Sequence, residues 1–239
     1  MNCSTGRIPA RVCSWHEPTG SLVKTDKVAA ARERVAVLYR ELGRLGMCSA
    51  SSGNVSVRAT PLMLMTASGV AAEDATADAV AAISLDGAVQ GDVRPSSEWH
   101  LHAGIYQKFP AARCVVHTHS DAATALSCLN EGLPAFHYMI AGFGGAIRCA
   151  PYVTFGTQEL ADAAVAAIAG RSACLLANHG MVVFGRDEPH ALSQAVLLET
   201  LCRQYLLARS AGVVRILSAV EMRAARARFR NYGGRRSRG

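Results

Sequence analysis

A layered α/β domain is what this sequence predicts, and three observations carry the prediction. Stretches with helical spacing and stretches with strand alternation are interspersed along the chain, without a regular βαβ rhythm. Half of the 239 residues are hydrophobic and only 18% are charged, which is enough for a sizeable core and too apolar for disorder. No apolar run reaches the ~18–20 residues that span a bilayer, because Arg, Asp, Gly or Pro interrupts each candidate.

Residues 1–24 mix Pro, Gly and Ser with no clear periodicity and read as a flexible N-terminal extension. From Thr25, TDKVAAARERVAVLYRELGRLG sets Val28, Val35, Leu38, Leu42 and Leu45 at helical spacing, with Thr25 as N-cap and Gly46 as stop. NVSVR and LMLMTA then read as two strands, and AAISLDGAVQG as a hairpin turning at Asp-Gly. PSSEWHLHAGIYQKF predicts a capped helix that opens at Pro-Ser-Ser-Glu and ends near Phe109. RCVVHTHS is a strand with two histidines at its end, followed by a short helix from Asp121. GTQELADAAVAAIAG predicts a Thr-capped helix that Gly170 ends, and ACLLANHGMVVFG two strands around Asn178-His179-Gly180. Two helices, near 188–210 and 218–230, close the chain ahead of a basic tail at 234–239.

The eight cysteines form no C-x-x-C pair, and several sit in apolar runs such as CVV and ACLLA. That is how reduced, buried thiols of a cytoplasmic protein look, and neither a disulfide scaffold nor a zinc finger. The N-terminus lacks the roughly 7–15-residue apolar stretch of a signal peptide. The net charge is +7, but residues 222–239 hold seven Arg and no acid, so the rest of the chain sums to zero. A basic tail without a basic face argues against nucleic acid as a partner.

Two His-x-His pairs carry the chemistry: His100/His102 and His117/His119. On a strand, positions i and i+2 share a face, so His117 and His119 can converge on one metal; on a helix they diverge, so His100 and His102 cannot. The latter pair is read as structural or surface residues. A third histidine, His179, lies in a turn beside Gly180, where a lone His is a turn residue more often than a ligand. Three nitrogens with an open fourth position suit catalytic Zn²⁺. Glu98, at a helix N-terminus, reads either as a capping carboxylate or as an acid/base group beside a metal. The Ser/Gly turns SSGNVSVR and TASGV, with Ser96 and Ser97, offer backbone N–H groups and hydroxyls for an anion. GFGGA is no dinucleotide fingerprint, since the spacing and the βα context are absent. Only Lys24, Lys27 and Lys108 are present, none in an apolar strand, which argues against imine chemistry and leaves a metal as the electron sink.

Taken together, SSGNVSVR, LMTASGV, PSSEW, VVHTHS, LPAFHYMIAGFGG, CAPYVTFGTQEL, LLANHGMVVFG and FRNYGG resemble the class II aldolase/adducin family, most closely its L-fuculose-1-phosphate aldolases. They occur in the family's order over residues 27–233. The resemblance implies a three-layer α/β/α domain over 25–233 with a mainly antiparallel central sheet, assembled as a homotetramer with active sites at subunit interfaces. It implies that His117, His119 and His179 hold Zn²⁺, a single ion in each subunit, with Glu98 at or beside it. Gly53, Asn54, Ser68, Gly69, Ser96 and Ser97 match positions that cradle a substrate phosphate. Tyr138 and Tyr232 match tyrosines at the aldehyde end, where Phe155 and Phe229 are candidates for an apolar wall. The implied reaction is reversible cleavage of a ketose 1-phosphate to dihydroxyacetone phosphate and an aldehyde such as L-lactaldehyde. Sugar-phosphate 4-epimerases, methylthioribulose-1-phosphate dehydratases and non-catalytic adducin-like modules share the scaffold and are the alternatives. One departure stands out: the family's TPSG/TPTG turn has Ala67 in place of its Pro.

Overall fold

The structure, a computed structural model, describes residues 19–231, with side chains described over 27–229. Strand alternation sorts its apolar residues onto the two faces of one eight-stranded sheet. The strands are β1 (Asn54–Ala59), β2 (Leu62–Thr66), β3 (Val80–Ser84), β4 (Val89–Gln90), β5 (Cys114–Thr118), β6 (Cys149–Ala150), β7 (Ala173–Leu176) and β8 (Gly180–Gly185). Their order is β4-β3-β2-β1-β5-β8-β7-β6, antiparallel throughout except for β6 beside β7. The helices are α1 (Thr19–Arg44), α2 (Trp99–Lys108), α3 (Asp121–Ser127), α4 (Gln158–Ile168), α5 (Glu188–Ala211) and α6 (Ala219–Asn231).

Val55, Val57, Leu64, Cys114, Val116, Met181 and Val183 face α1, α3 and α5. Met63, Met65, Ile83, Val115, Cys174, Leu176 and Val182 face α2 and α4. The expected three-layer α/β/α architecture is what the chain adopts. Each fully buried Val, Leu or Met contributes roughly 1.5–3 kcal/mol. A one-residue slip would turn a whole set to the wrong face, so burial fixes the register. That register pairs Asn54 with His117, the junction on which the site is built.

Most elements fall where the sequence places them. Gly46, at φ +69°, ends α1, and the Thr157 hydroxyl accepts from Leu160 N at 3.2 Å to cap α4. The differences are local. Helix α1 begins at Thr19, so Thr25 lies inside it and is not its cap: nothing between Pro18 and Thr25 interrupts a helix except the single Gly20. Residues 1–18 of the expected extension, and 232–239 with Tyr232 and the tail, lie outside the described residues. Helix α2 begins only at Trp99; Glu98 holds the N-cap position without a capping bond from its side chain. Strand β6 and a 3-10 turn at Tyr138–Phe143 are too short to leave a periodic signal.

Candidate active site

Strand β5 carries His117 on the face toward α2, because its antiparallel partner Asn54 lies on that face. His117 is fully buried, and its Nδ1 donates to the Met181 carbonyl of β8 at 2.9 Å. That bond fixes the tautomer, so in the neutral ring Nε2 presents a bare lone pair. His119, two residues on and just past the strand, brings its Nε2 within 2.9 Å of that of His117. His179 arrives from the β7–β8 turn, where Asn178 adopts φ +53° and the turn is bonded to Ser127. Gly180 is required there, since a Cβ would collide with the Thr118 carbonyl oxygen. Just past His119 in the chain, Ala122 N and Ala123 N each donate at 2.9 Å to the buried carboxylate of Glu199, which anchors the start of α3.

Glu98 completes the cluster from the N-terminus of α2. Its Oε2 lies 3.1 Å from His117 Nε2 and its Oε1 3.3 Å from His179 Nε2. One candidate ligand atom from each of these four residues falls within 4.8 Å of the others. Glu98 Oε1 is buried and has no hydrogen-bond partner. An orphaned carboxylate oxygen among converging imidazole nitrogens fits a divalent cation, as does the donor set itself. Burial would raise the Glu98 carboxyl, but His117, His179 and the Asn54 amide outweigh it and hold it far below the carboxylate range. Burial would likewise lower His117, but the adjacent Glu98 and the Met181 carbonyl raise it. Burial first, and the charge of His117 second, push His179 down to about 3 and His119 to about 4. A cation bound at His117 Nε2 would therefore compete with a proton there.

Above the cluster opens a cavity of about 480 Å³. Gly53, Asn54, Ser68, Gly69, Ser96 and Ser97 all line it, together with Glu98, His119 and His179. The TASGV turn is joined to the Pro95–Ser97 segment by an Ala67–Pro95 bridge, with Ser68 N to Arg94 O and Ser96 N to Thr66 O at 3.0 Å each. Gly53, at φ +75°, passes so close to β5 that a Cβ would stand 2.9 Å from the His117 carbonyl oxygen. Ala67 N donates to Ala79 O at 3.1 Å, a bond that proline could not make. Among the described residues no Lys or Arg lines the cavity, so an anion there meets hydroxyls and backbone N–H groups.

Several residues stand elsewhere or had not been singled out. Tyr138 lines a separate groove of about 680 Å³ with Met139, Ala224, Ala225, Arg228 and Phe229. Of the two proposed wall residues, only Phe155 reaches the cavity; Phe229 stacks on Tyr138 with ring centroids 6.0 Å apart. Helix α6 holds Phe229 against the Tyr138 turn, which sequence spacing gives no way to see. Tyr152, Val153 and Asn178 join the lining without a sequence signal beyond lying next to Phe155 and His179. Tyr39 was unremarked within its apolar helix; its hydroxyl lies 3.2, 3.2 and 3.3 Å from the carbonyl oxygens of Ser52, Gly53 and Val70. His100 stacks on Trp99, whereas His102 is fully buried and bonded to Asn54 and Ser56. As expected, neither points its ring into the metal-binding cluster.

The sequence model of the family described as "Class II Aldolase and Adducin N-terminal domain" matches residues 33–206. The chain belongs to the class II aldolase and adducin family. A 5-methylthioribulose-1-phosphate/5-deoxyribulose-1-phosphate aldolase of Rhodospirillum rubrum is 43% identical to it over 205 residues, 85% of this chain and 93% of the relative. An L-fuculose phosphate aldolase of Escherichia coli K12 is 40% identical over 195 residues, 81% of this chain and 91% of the relative. A solved L-fuculose 1-phosphate aldolase superposes with a TM-score of 0.81 at 33% identity, covering 84% of this chain and 96% of that one. The chain is accordingly a class II, metal-dependent aldolase, a lyase and not a bare binding module.

Proposed function

We propose that this class II aldolase catalyses reversible cleavage of a ketose 1-phosphate to dihydroxyacetone phosphate and an aldehyde, using a Zn²⁺ held in each subunit. The observation that carries the reading is a single cavity joining a three-histidine, one-carboxylate cluster to lysine-free Ser/Gly turns. In this reading His117, His119, His179 and Glu98 hold the ion. Bound there, a divalent metal supplies a Lewis acid for the ketone and stabilises the charge left when the carbon–carbon bond breaks. Gly53, Asn54, Ser68, Gly69, Ser96 and Ser97 cradle the phosphate, and that remote binding orients the reacting carbons. Glu98 moves the proton on the carbon that is the nucleophile in condensation.

The aldehyde end is assigned to Tyr152, Val153 and Phe155, an uncharged and largely apolar lining. It favours a ketose phosphate whose far end is methyl or methylthio: L-fuculose 1-phosphate, or the 5-deoxy and 5-methylthio ribulose 1-phosphates named for the relatives. Tyr138 and Tyr232 belong to the proton on the aldehyde oxygen, reaching the site from a neighbouring subunit of a homotetramer. In support, Tyr138 is 53% exposed and does not line the cavity of its own chain. Residues 25–233 form the catalytic domain of this reading, with 1–24 and 234–239 outside it. A cytoplasmic location is proposed too; no helix among the described residues is long and apolar enough to cross a membrane.

The test is dihydroxyacetone phosphate release from these three ketose 1-phosphates, before and after chelation and after Zn²⁺ restoration. Metal-dependent release supports the reading, and the relative rates name the aldehyde. An epimerised or dehydrated product without release overturns the reaction while keeping the metal site.

A further inference from the structure

Behind Glu98, on the face of β1 that packs against α2, lies a chain of buried polar groups of which the reaction above uses only Asn54 and Glu98. Asn54 Nδ2 donates to Glu98 Oε2 at 2.9 Å. His102 Nε2 lies 2.6 Å from Asn54 Oδ1, and His102 Nδ1 lies 2.7 Å from Ser56 Oγ. Tyr106 O–H donates to the Ser56 carbonyl at 2.9 Å and sits 2.8 Å from Ser56 Oγ. Asn54, Ser56, Glu98 and His102 are at most 8% exposed, so solvent cannot substitute for a missing partner.

The donor and acceptor roles along this chain are forced. A carboxylate only accepts, so the Asn54 amide must turn its NH₂ toward Glu98 and its oxygen toward His102. That oxygen only accepts, so His102 must carry its proton on Nε2. Its Nδ1 is then a bare acceptor, and the Ser56 hydroxyl must donate to it. Burial, with the charge of His117 adding to it, pushes His102 down to about 3 and keeps the ring neutral. At the far end Oε2 of Glu98 is held by Asn54 beside His117, while Oε1 has no hydrogen bond and faces His179.

We propose that Ser56 and His102 are positioning residues, a one-way hydrogen-bond relay running Ser56 to His102 to Asn54 to Glu98. The relay fixes which way the Asn54 amide faces and thereby which Glu98 oxygen works in the site. It rests on the assignment of Glu98 in the proposed function and adds to it the two residues that hold the carboxylate still. Without the His102 N–H, the Asn54 oxygen is left buried without a donor, only the carboxylate then orients the amide, and Glu98 is held less firmly.

The experiment joins kinetics to nitrogen-15 NMR of the imidazoles. His102→Phe keeps a ring of similar size and removes the donor: kcat is expected to fall by about 10–100-fold, with KM and metal content unchanged. His102→Gln, whose amide N–H can reach Asn54 Oδ1, is expected to recover most of that loss. In the metal-free unmutated protein, His102 is expected as a single Nε2–H tautomer at neutral and mildly acidic pH, and Ser56→Ala, which removes the donor to Nδ1 but leaves Asn54 Oδ1 facing Nε2, is expected to keep that tautomer while shifting the Nδ1 resonance. An Nδ1–H ring, an unchanged kcat in His102→Phe, or His102→Gln as impaired as His102→Phe at equal thermal stability overturns the relay. If His102→Phe does not fold, the tautomer in the unmutated protein and in Ser56→Ala decides. An unmutated protein inactive on every ketose 1-phosphate would bring down the functional reading, and the tautomer would still decide the relay.

Discussion

The cavity over β1 and β5 and the groove beneath α6 are both about the size of a small-molecule site, yet one chain finishes only the first. At the cavity three groups are fixed by something rigid: the His117 ring by the Met181 carbonyl, Glu98 by Asn54, and the Gly53 backbone by its tight approach to β5. In the groove, Tyr138 and Phe229 stack on each other but leave Tyr138 half exposed, with no hydrogen bond recorded for its hydroxyl among the described residues. The difference separates the tasks. Binding an ion and a phosphate demands fixed geometry, which strands and their register supply. In the proposed reading, the proton on the aldehyde oxygen falls to a surface that a second copy of the chain would complete.

The largest effect should come from the rigid side. His119→Ala removes one imidazole of the cluster and should abolish metal content and activity together, a loss of at least about 10³-fold. Metal analysis beside product release checks it, and a variant that keeps both would erase the contrast between the regions. Glu98→Gln should retain the metal but slow proton exchange on dihydroxyacetone phosphate by about 10²–10⁴-fold. Exchange at the unmutated rate would remove Glu98 from that step. Tyr138→Phe tests the other region: its loss should be at or below about 10²-fold, because solvent reaches an exposed hydroxyl, and metal content should not move. A loss as large as that of Glu98→Gln would mean the groove residue is as fixed as the cavity residues.

The smallest effect is on stability in acid. Buried His102 titrates at about 3 when folded, against 6.5 for a free imidazole, so the unfolded chain takes up its proton first. Stability of the metal-free protein should therefore fall as pH drops below about 6.5 and level off as pH approaches about 3. His119 and His179, also pushed down, act in the same direction. His117 is raised and acts oppositely, contributing stability at low pH that is lost as pH rises through its folded value. Urea unfolding at neutral and acidic pH measures the sum, and a flat profile would show that burial does not hold these rings neutral.

How far the sequence announces all this depends on the residue. His117 and His119 are legible because strand geometry puts i and i+2 on one face. His179 and Glu98 are not, since a histidine in a turn and a glutamate at a helix start have ordinary structural uses; only the ordered family motifs single them out. Asn54 and Ser56 mislead in another way. The polar positions of NVSVR suggest a face toward water, yet both are buried against α2. The available signal was on the partner helix, where His102 and Tyr106 stand four residues apart and present polar atoms to the same face. Tyr138 could be flagged by motif alone, because its surroundings depend on how α6 folds back over 80 residues later in the chain.

Tyr39 ties α1 to both loops that would hold a phosphate, and it does so in an unusual way. Three carbonyl oxygens, at 3.2, 3.2 and 3.3 Å, compete for its single hydroxyl hydrogen. No one of them holds it firmly, so the bond can pass from loop to loop with little change in energy. The attachment behaves as a swivel and not as a bolt. A dianion held between the two loops, as proposed, would thus be cradled by segments that share one tether to the helix behind.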